Sequence, residues 1–388
     1  MRGDVERHQR AGWNSYINLG LPAGRAKDEN SLAWIAMRAE GPLKADDPDL
    51  LELLRAQYLH PPDGLPYDLK EDAGTKDNLY KRYKIIYPSW AFIDSVTRDL
   101  FSEGEDAGFF VEAGALDGEY LSNTLWLERW RRWTGLLVEA EADSYAALRK
   151  KHRRAWSSPA CLATNDYPHT AILTSFRRLG LSSEWTDRGA ARIEEKPAAA
   201  GEGPGYKTYH NAQCFPALTF FLVLNITRVH FFSLDVEGVE MSVLRSFPFD
   251  QITVDVWAIE HVSPSRNSTP RTQTSSGSHW NTSVPSSDTY NTTSGGSFQQ
   301  VSWLEDPEFI AFMEARGYYL FDMFCNYIPD YIFVRRGSDV FKRLRVPERM
   351  WKRRGICLHK SIWDEETKVF EPNLHRDKRH WPILAYSG

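Results

Sequence analysis

The sequence predicts a mixed α/β fold built around a mostly parallel sheet. Short apolar strands alternate with helices between residues 108 and 261, a rhythm typical of parallel strands joined by crossover helices. Two closing strands follow at 318–324 and 331–335 and are expected to pair antiparallel at one edge. We therefore expect a seven-stranded sheet in which three strands are parallel neighbours: 109–111, 136–138 and 231–234.

The first 107 residues are expected to form an extension with short helices. Leucines recur at helical spacing over 47–59, and His60 with the two prolines after it ends that helix. A second helix is expected toward the end of 80–101. The final residues, 338–388, are basic and form a C-terminal extension.

Residues 108–337 lie between the extensions and form the predicted central domain. One helix is expected from about Ser122, which is a good N-cap, and another over about 143–152. Residues 160–163 are the candidate third strand, and 182–208 are expected to form a mobile loop. The remaining expected elements are a helix at 216–224, a strand at 230–234, a helix at 239–247, a strand at 254–259 and a helix at about 306–316.

The composition excludes several classes of function. Apolar residues make up 42% of the chain and charged residues 26%, as in an ordinary folded protein. The net charge of −5 gives no basis for binding nucleic acid or an anionic membrane surface. The longest apolar run, 215–226, is shorter than the roughly 20 residues that span a bilayer. The N-terminus lacks the apolar stretch of a signal peptide, so we expect a soluble chain.

One segment of the central domain differs sharply in composition. Residues 263–300 contain 11 Ser, 7 Thr and only three charged residues, which predicts a disordered insertion. Three N-glycosylation sequons begin in it, at Asn267, Asn281 and Asn291, and a fourth begins at Asn225. Because a segment rich in Ser and Thr also forms sequons by chance, both interpretations stay open.

The first predicted strand runs into the small-residue sequence EAGALDG at 112–118. Small residues at the carboxyl end of such a strand allow a ligand to approach the backbone. Glu139, which ends the next strand, follows Gly118 by 21 residues, the position at which an acid accepts ribose hydroxyls. The chain has no Gly-x-Gly-x-x-Gly there, which favours a mononucleoside over a dinucleotide. A tight turn beside a solvated acid is the alternative.

Four segments in order resemble the FkbM-type methyltransferase domain over roughly residues 46–337. They read FFVEAGALDG (109–118), GLLVEA (135–140), FSLDVEGVE (232–240) and IEH (259–261). The resemblance implies a Rossmann-like methyltransferase fold and S-adenosylmethionine as cofactor. Three further pieces are similar to an animal Star-like branch of the family: LSNTLWLE (121–128), WSSPACL (156–162), and HPP (60–62) with PY (66–67). That branch includes a secretory-pathway membrane protein that assists the export of a growth-factor precursor.

The resemblance also implies roles for individual residues. Glu112, Gly114 and Asp117 would lie around the methionine part of the cofactor, and Glu139 would accept hydrogen bonds from the ribose. The segment from Ser158 to Cys161 would flank the adenine.

Asp235 and Glu237 would lie at the carboxyl end of the fourth strand, near the transferred methyl group, and Glu260 and His261 at the end of the fifth. His261 is the natural general base, with Asp235 or Glu237 orienting it or the substrate. Two other interpretations stay open: His261 as a structural histidine, and Asp235 as the cap of the following helix.

Two classes of function follow from the resemblance. As an enzyme, the protein would methylate an oxygen of a small molecule or glycan. As a Star-like factor, it would use the same fold without catalysis, in trafficking of a growth-factor precursor between endoplasmic reticulum, Golgi and endosome. Members of the animal branch usually carry an N-terminal membrane anchor, and no such segment is visible in this chain. The compartment is therefore either secretory or cytoplasmic.

The four cysteines report on the compartment. None lies two residues from another, which excludes a zinc knuckle. In an oxidising lumen Cys161 and Cys214 are expected to bridge, because one follows the third strand and the other precedes the helix leading to the fourth. In a reducing compartment, all four would be free thiols.

Overall fold

The computed structural model describes these parts of the chain: 43–69, 88–102, 107–178, 192–194, 205–261, 306–324, 329–344, 362–364 and 369–371. The predicted insertion at 263–300, with Asn267, Asn281 and Asn291, lies outside the described residues, as do Cys325 and Cys357.

A seven-stranded sheet forms the centre of the molecule, as expected. Its strands lie in the order β10-β11-β9-β8-β1-β2-β3, and β11 runs antiparallel to both of its neighbours. The expected parallel neighbours are confirmed, because β1 lies between β2 and β8 and pairs in parallel with both. The strands are β1 (Phe109–Ala113), β2 (Thr134–Val138), β3 (Trp156–Ser158), β8 (Arg228–Leu234), β9 (Thr253–Glu260), β10 (Tyr318–Phe324) and β11 (Asp330–Arg335).

Helices cover both faces of this sheet, which explains why its strands are continuous apolar runs rather than alternating ones. On one face lie α1 (Pro48–Leu53, continued by a π-helical turn, Leu54–Tyr58), α5 (Ala217–Leu224), α6 (Glu240–Ser246) and α7 (Pro307–Ala315). On the other lie α2 (Pro88–Phe101), α3 (Leu125–Arg131), α4 (Ala142–Arg149) and α8 (Asp339–Leu344). None of the described helices is both long and apolar enough to span a membrane.

Aromatic side chains account for much of the core. Phe232 on β8 stacks on Trp257 on β9 with ring centroids 4.3 Å apart, and Phe247 meets the same indole edge-on at 5.0 Å. Such pairs add about 0.5–1.5 kcal/mol each to the stability gained from area burial. The N-terminal segment joins the same core through Leu50, Leu53 and Leu54, all fully buried.

A second, four-stranded sheet stands beside the first, in the order β4-β7-β5-β6. Its strands are β4 (Cys161–Leu162), β5 (His169–Arg178), β6 (Arg192–Glu194) and β7 (Gly205–Phe215). Two expectations are wrong here. The third strand of the main sheet is β3 rather than 160–163, and the expected loop at 182–208 contains β6 and the start of β7. A short pair, β12 (Ile362–Asp364) and β13 (Val369–Glu371), lies near the C-terminus.

The disulfide expected for an oxidising lumen is present between Cys161 and Cys214. Cys161 on β4 pairs in register with Cys214 on β7. The bond therefore joins the first and the last strand of the small sheet along the chain, which are neighbours in that sheet. Both side chains are buried.

Candidate functional site

The carboxyl ends of β1, β2 and β8 meet at one edge of the main sheet, as parallel neighbours must. The loop after β1 turns sharply there, with positive φ angles at Gly114 (85°), Leu116 (49°) and Gly118 (75°). A Cβ atom at Gly114 would overlap the carbonyl oxygen of Asp235, at the end of β8. Both the positive φ and the close approach of Asp235 therefore require glycine at this position. Gly114 is also exposed, so its backbone is accessible at this edge of the sheet.

Glu112 holds the start of helix α3 in place. Its carboxylate accepts hydrogen bonds from the Ser122 hydroxyl at 2.9 Å, from the Asn123 N–H at 2.6 Å and from the Thr124 hydroxyl. Burial raises the pKa of Glu112, although the positive charge of Arg153 and these hydrogen bonds oppose the shift. The residue is 3% exposed, so its first role is to anchor the segment that follows the β1 loop.

Asp117 fixes the turn in which it lies. Its Oδ1 accepts hydrogen bonds from the backbone N–H groups of Glu119 at 3.0 Å and Tyr120 at 2.7 Å. Gly118 lies in the same turn, where its carbonyl accepts a hydrogen bond from the buried guanidinium of Arg153. The protein's own hydrogen bonds therefore hold the shape of this loop.

Glu139 lies at the end of β2 and reaches across to the β1 loop. Oε2 accepts a hydrogen bond from the Leu116 N–H at 2.7 Å, and Oε1 accepts one from the Glu141 N–H at 2.8 Å. Burial raises the pKa of Glu139 to about 8, against the effect of these two bonds. Each carboxylate oxygen keeps a second lone pair, so the group can still accept from a ligand hydroxyl.

The end of β3 supplies Ser158 and the segment leading to Cys161. The Ser158 side chain is fully buried, and its hydroxyl has no hydrogen-bond partner among the described residues. Such orphaned groups are rare because a buried hydroxyl without a partner destabilises the protein. Cys161 itself is held by its bond to Cys214.

Acidic side chains gather where β8, β9 and β11 end or begin. Asp235 and Glu237 follow β8, Glu260 ends β9, and Asp330, which starts β11, lies opposite Glu260 in register. Burial, followed by the negative charges of Glu260 and Glu237, raises the pKa of Asp235 well above its ordinary value. Burial and Glu260 do the same for Asp330. Asp235 Oδ1 and Asp330 Oδ2 are buried, and neither has a hydrogen-bond partner in the parts of the chain that the structure describes.

Glu240 organises the loop after β8, a role that the sequence did not reveal. Its Oε1 accepts from the N–H groups of Val236 at 3.1 Å and Gly238 at 2.9 Å, which closes a turn containing Glu237 at a φ of 59°. The sequence does contain a signal for this role. Glu240 begins helix α6, and an acid in the first turn of a helix commonly accepts hydrogen bonds from the backbone that precedes the helix.

His261 lies just after β9 and is 4% exposed. Its Nε2 is 3.0 Å from Oδ2 of Asp306, whose Oδ1 accepts from the N–H groups of Glu308 and Phe309 and so caps helix α7. Burial raises the pKa of Asp306, but the bonds from His261 and from those N–H groups outweigh it and leave the pKa lowered. Asp306 lies 45 residues along the chain from His261, too far for the sequence to indicate the pair.

These residues fit the polar parts of S-adenosylmethionine. The Ser158 hydroxyl and Asp235 Oδ1, which make no hydrogen bond within the described part of the chain, lie at the ends of β3 and β8, on either side of the exposed Gly114 backbone in the strand order. Glu139 lies between them, at the end of β2. S-adenosylmethionine has a base at one end, ribose hydroxyls in the middle and a sulfonium at the other end. The Ser158 hydroxyl, the Glu139 carboxyl group and the Asp235 carboxyl group follow one another along the edge in the same order.

Comparison with known proteins identifies one family. The model of the methyltransferase FkbM domain matches residues 112–319, which is more than half of the 388 residues. No curated protein matches the chain.

Proposed function

This chain belongs to the FkbM methyltransferase domain family, and we propose that it uses S-adenosylmethionine to methylate an oxygen of a small molecule or glycan. The observation that supports this most is the set of polar groups along one edge of the sheet, with Glu139 between Ser158 and Asp235. When bound, the cofactor supplies a methyl group on a positively charged sulfur.

In this proposal, the carboxyl ends of β1 to β3 bind the cofactor. Glu139 accepts the ribose hydroxyls through its remaining lone pairs, and Ser158 donates to or accepts from the adenine. Glu112 and Asp117 act by holding the loop in which Gly114 exposes its backbone, since their carboxylates are engaged with backbone and hydroxyl donors.

The acceptor would lie beside Asp235, Glu237 and His261. Asp235 faces the transferred methyl, and His261 takes the proton of the acceptor hydroxyl. Asp306 supports that role: a carboxylate that accepts the Nε2–H of His261 leaves Nδ1 with the lone pair that a base needs. The alternative is that His261 only anchors helix α7 through the same bond.

Calorimetry with S-adenosylmethionine tests the cofactor, and methyl transfer from labelled cofactor to candidate hydroxyl compounds then tests the activity. We expect measurable binding by the whole chain and weaker binding by Glu139→Ala. Glu52→Gln, on the exposed side of α1, is the matched control and should bind as the unchanged protein does. Undetectable binding by the unchanged protein would contradict the proposal.

A second candidate is a Star-like, non-enzymatic factor that assists trafficking of a growth-factor precursor. The Cys161–Cys214 bond supports the compartment that this function requires, because disulfides persist in the secretory pathway and are rare in the cytosol. Capture of such a precursor by protein that fails to bind the cofactor would favour this candidate. Precursor binding that disappears when the cofactor is added would favour the enzyme.

A further inference from the structure

We propose that Asn225 carries an N-linked glycan. The sequon Asn225-Ile226-Thr227 lies between helix α5 and strand β8, in a part of the chain with few Ser and Thr residues. The chance formation of sequons expected for a Ser/Thr-rich segment therefore does not account for it.

The local structure presents the asparagine to solvent. Asn225 follows the last residue of α5 at a φ of 55°, and the N–H of Ile226 bonds to the carbonyl of Phe221 to close the helix end. Asn225 and Thr227 are both exposed, and neither side chain makes a hydrogen bond among the described residues. An oligosaccharyltransferase needs both the amide and the hydroxyl to be accessible in this way.

The helix end explains the asparagine but not the threonine. Asn tolerates a left-handed conformation better than other residues with a side chain, so it suits the C-terminal cap of α5. Thr227 contributes only its backbone carbonyl, which accepts from the N–H of Thr253. The described structure therefore does not require a hydroxyl at position 227, whereas an N-glycosylation sequon does.

The disulfide supplies the independent observation on compartment. Formation of the buried Cys161–Cys214 bond requires an oxidising environment, and the secretory pathway that provides it also holds the glycosylation machinery. In the modification, the Asn225 Nδ2 atom bonds to the anomeric carbon of a lipid pyrophosphate-linked oligosaccharide. The bond from that carbon to the pyrophosphate breaks, the lipid pyrophosphate leaves, and the amide loses one proton.

The position of the sequon keeps a glycan away from the candidate site. Asn225 precedes β8 and so lies at its amino end, whereas Asp235 follows β8 at its carboxyl end. A glycan at Asn225 would therefore extend from the opposite edge of the sheet and leave the cofactor edge open.

Peptide mass spectrometry of the protein purified from the cells that make it tests this directly. Trypsin releases residues 208–228 as one peptide, which contains both Cys214 and Asn225, and residues 155–177 as another, which contains Cys161. Without reduction, we expect the two peptides joined, with a glycan at Asn225 that a glycosidase removes while converting the residue to Asp. An unmodified Asn225 would overturn the proposal, whether the two peptides are joined or separate.

Two variants of the full chain, secreted from animal cells behind an added signal sequence, assign the site. Thr227→Ser keeps the sequon and should keep the glycan at Asn225, whereas Thr227→Ala should lose it completely. Neither substitution changes Asn225 or the helix end, so both variants should be secreted in folded form and should unfold in one cooperative transition. A glycan on the 208–228 peptide of Thr227→Ala would contradict the assignment.

Discussion

Glu139 is the residue on which the proposed cofactor site most depends. Glu139→Ala removes an acceptor of ribose hydroxyls, and above pH 8, where Glu139 is ionised, a hydrogen bond to its charged group contributes about 1.5–3 kcal/mol. We therefore expect S-adenosylmethionine to bind about ten- to a hundred-fold more weakly, as measured by calorimetry. Equal affinity in the two proteins would remove Glu139 from the site.

Gly114 offers a second test at the scale of one residue. Gly114→Ala adds a Cβ that overlaps the Asp235 carbonyl and also forces Ala to a φ of 85°. Gly317→Ala is the matched control, because Gly317 has the same φ of 85° and open space around it. We expect the control to lose about 1–2 kcal/mol of unfolding free energy and Gly114→Ala to lose more, together with cofactor binding. Equal losses in denaturant titrations would show that the close approach to Asp235 is unimportant.

Asp306, the N-cap of helix α7, contacts His261, the proposed base. Asp306→Asn keeps a good N-cap residue but replaces the carboxylate that His261 contacts, whereas Asp306→Ala also costs the helix about 1 kcal/mol. If His261 is the base, Asp306→Asn should lower methyl transfer at least tenfold and shift the pH profile of the rate, with little change in stability. Unchanged transfer with unchanged pH dependence would leave His261 with a structural role only.

The Cys161–Cys214 disulfide is expected to contribute to the stability of the protein through the small sheet. Replacing both Cys161 and Cys214 by Ala opens a loop that the bond closes across a separation of 53 residues, which costs about 4 kcal/mol in the chain-entropy model. We expect the variant to unfold at a lower denaturant concentration, and a reducing agent to destabilise only the unchanged protein. A reducing agent that leaves the stability of the unchanged protein intact would contradict this expectation.

The whole molecule should be most stable at mildly acidic pH. Burial raises the pKa of a set of carboxyl groups at the carboxyl edge of the sheet: Glu112, Glu139, Asp235, Glu240 and Asp330. A carboxyl whose pKa is higher in the folded state stabilises that state while protonated. For Glu139 this contribution is complete below the ordinary value of 4.5 and is lost as the pH rises through about 8.

Glu139 alone accounts for a contribution on the order of 3 kcal/mol to this pH dependence. Thermal melts between pH 5 and pH 8 should therefore show the melting temperature falling as pH rises, and less steeply in Glu139→Gln. A melting temperature that rises over this window would show that these groups are ionised in the folded protein.

The central strands were predictable because burial on both faces leaves a continuous apolar run, as in 109–111, 136–138 and 231–234. The third strand was not, because Trp156-Ser157-Ser158 lacks such a run. Strand β7 was hidden for a different reason: apart from Phe215 at its last position, its buried positions near the end are the small residues Ala212 and Cys214. Of the site, each strand-end acid was visible in the sequence, whereas the contacts of Glu112 with Thr124 and of His261 with Asp306 exist only in the folded chain.

The pairing of Cys161 with Cys214 also has a consequence for how such a protein can change over time. Leu162 on β4 pairs with Phe215 on β7. The segment between them, residues 163–214, therefore begins and ends at neighbouring positions. A segment whose two ends lie side by side can gain or lose residues without moving the strands that flank it. The segment that carries β5, β6 and β7 could therefore change in length without displacing the sheet that holds the candidate site.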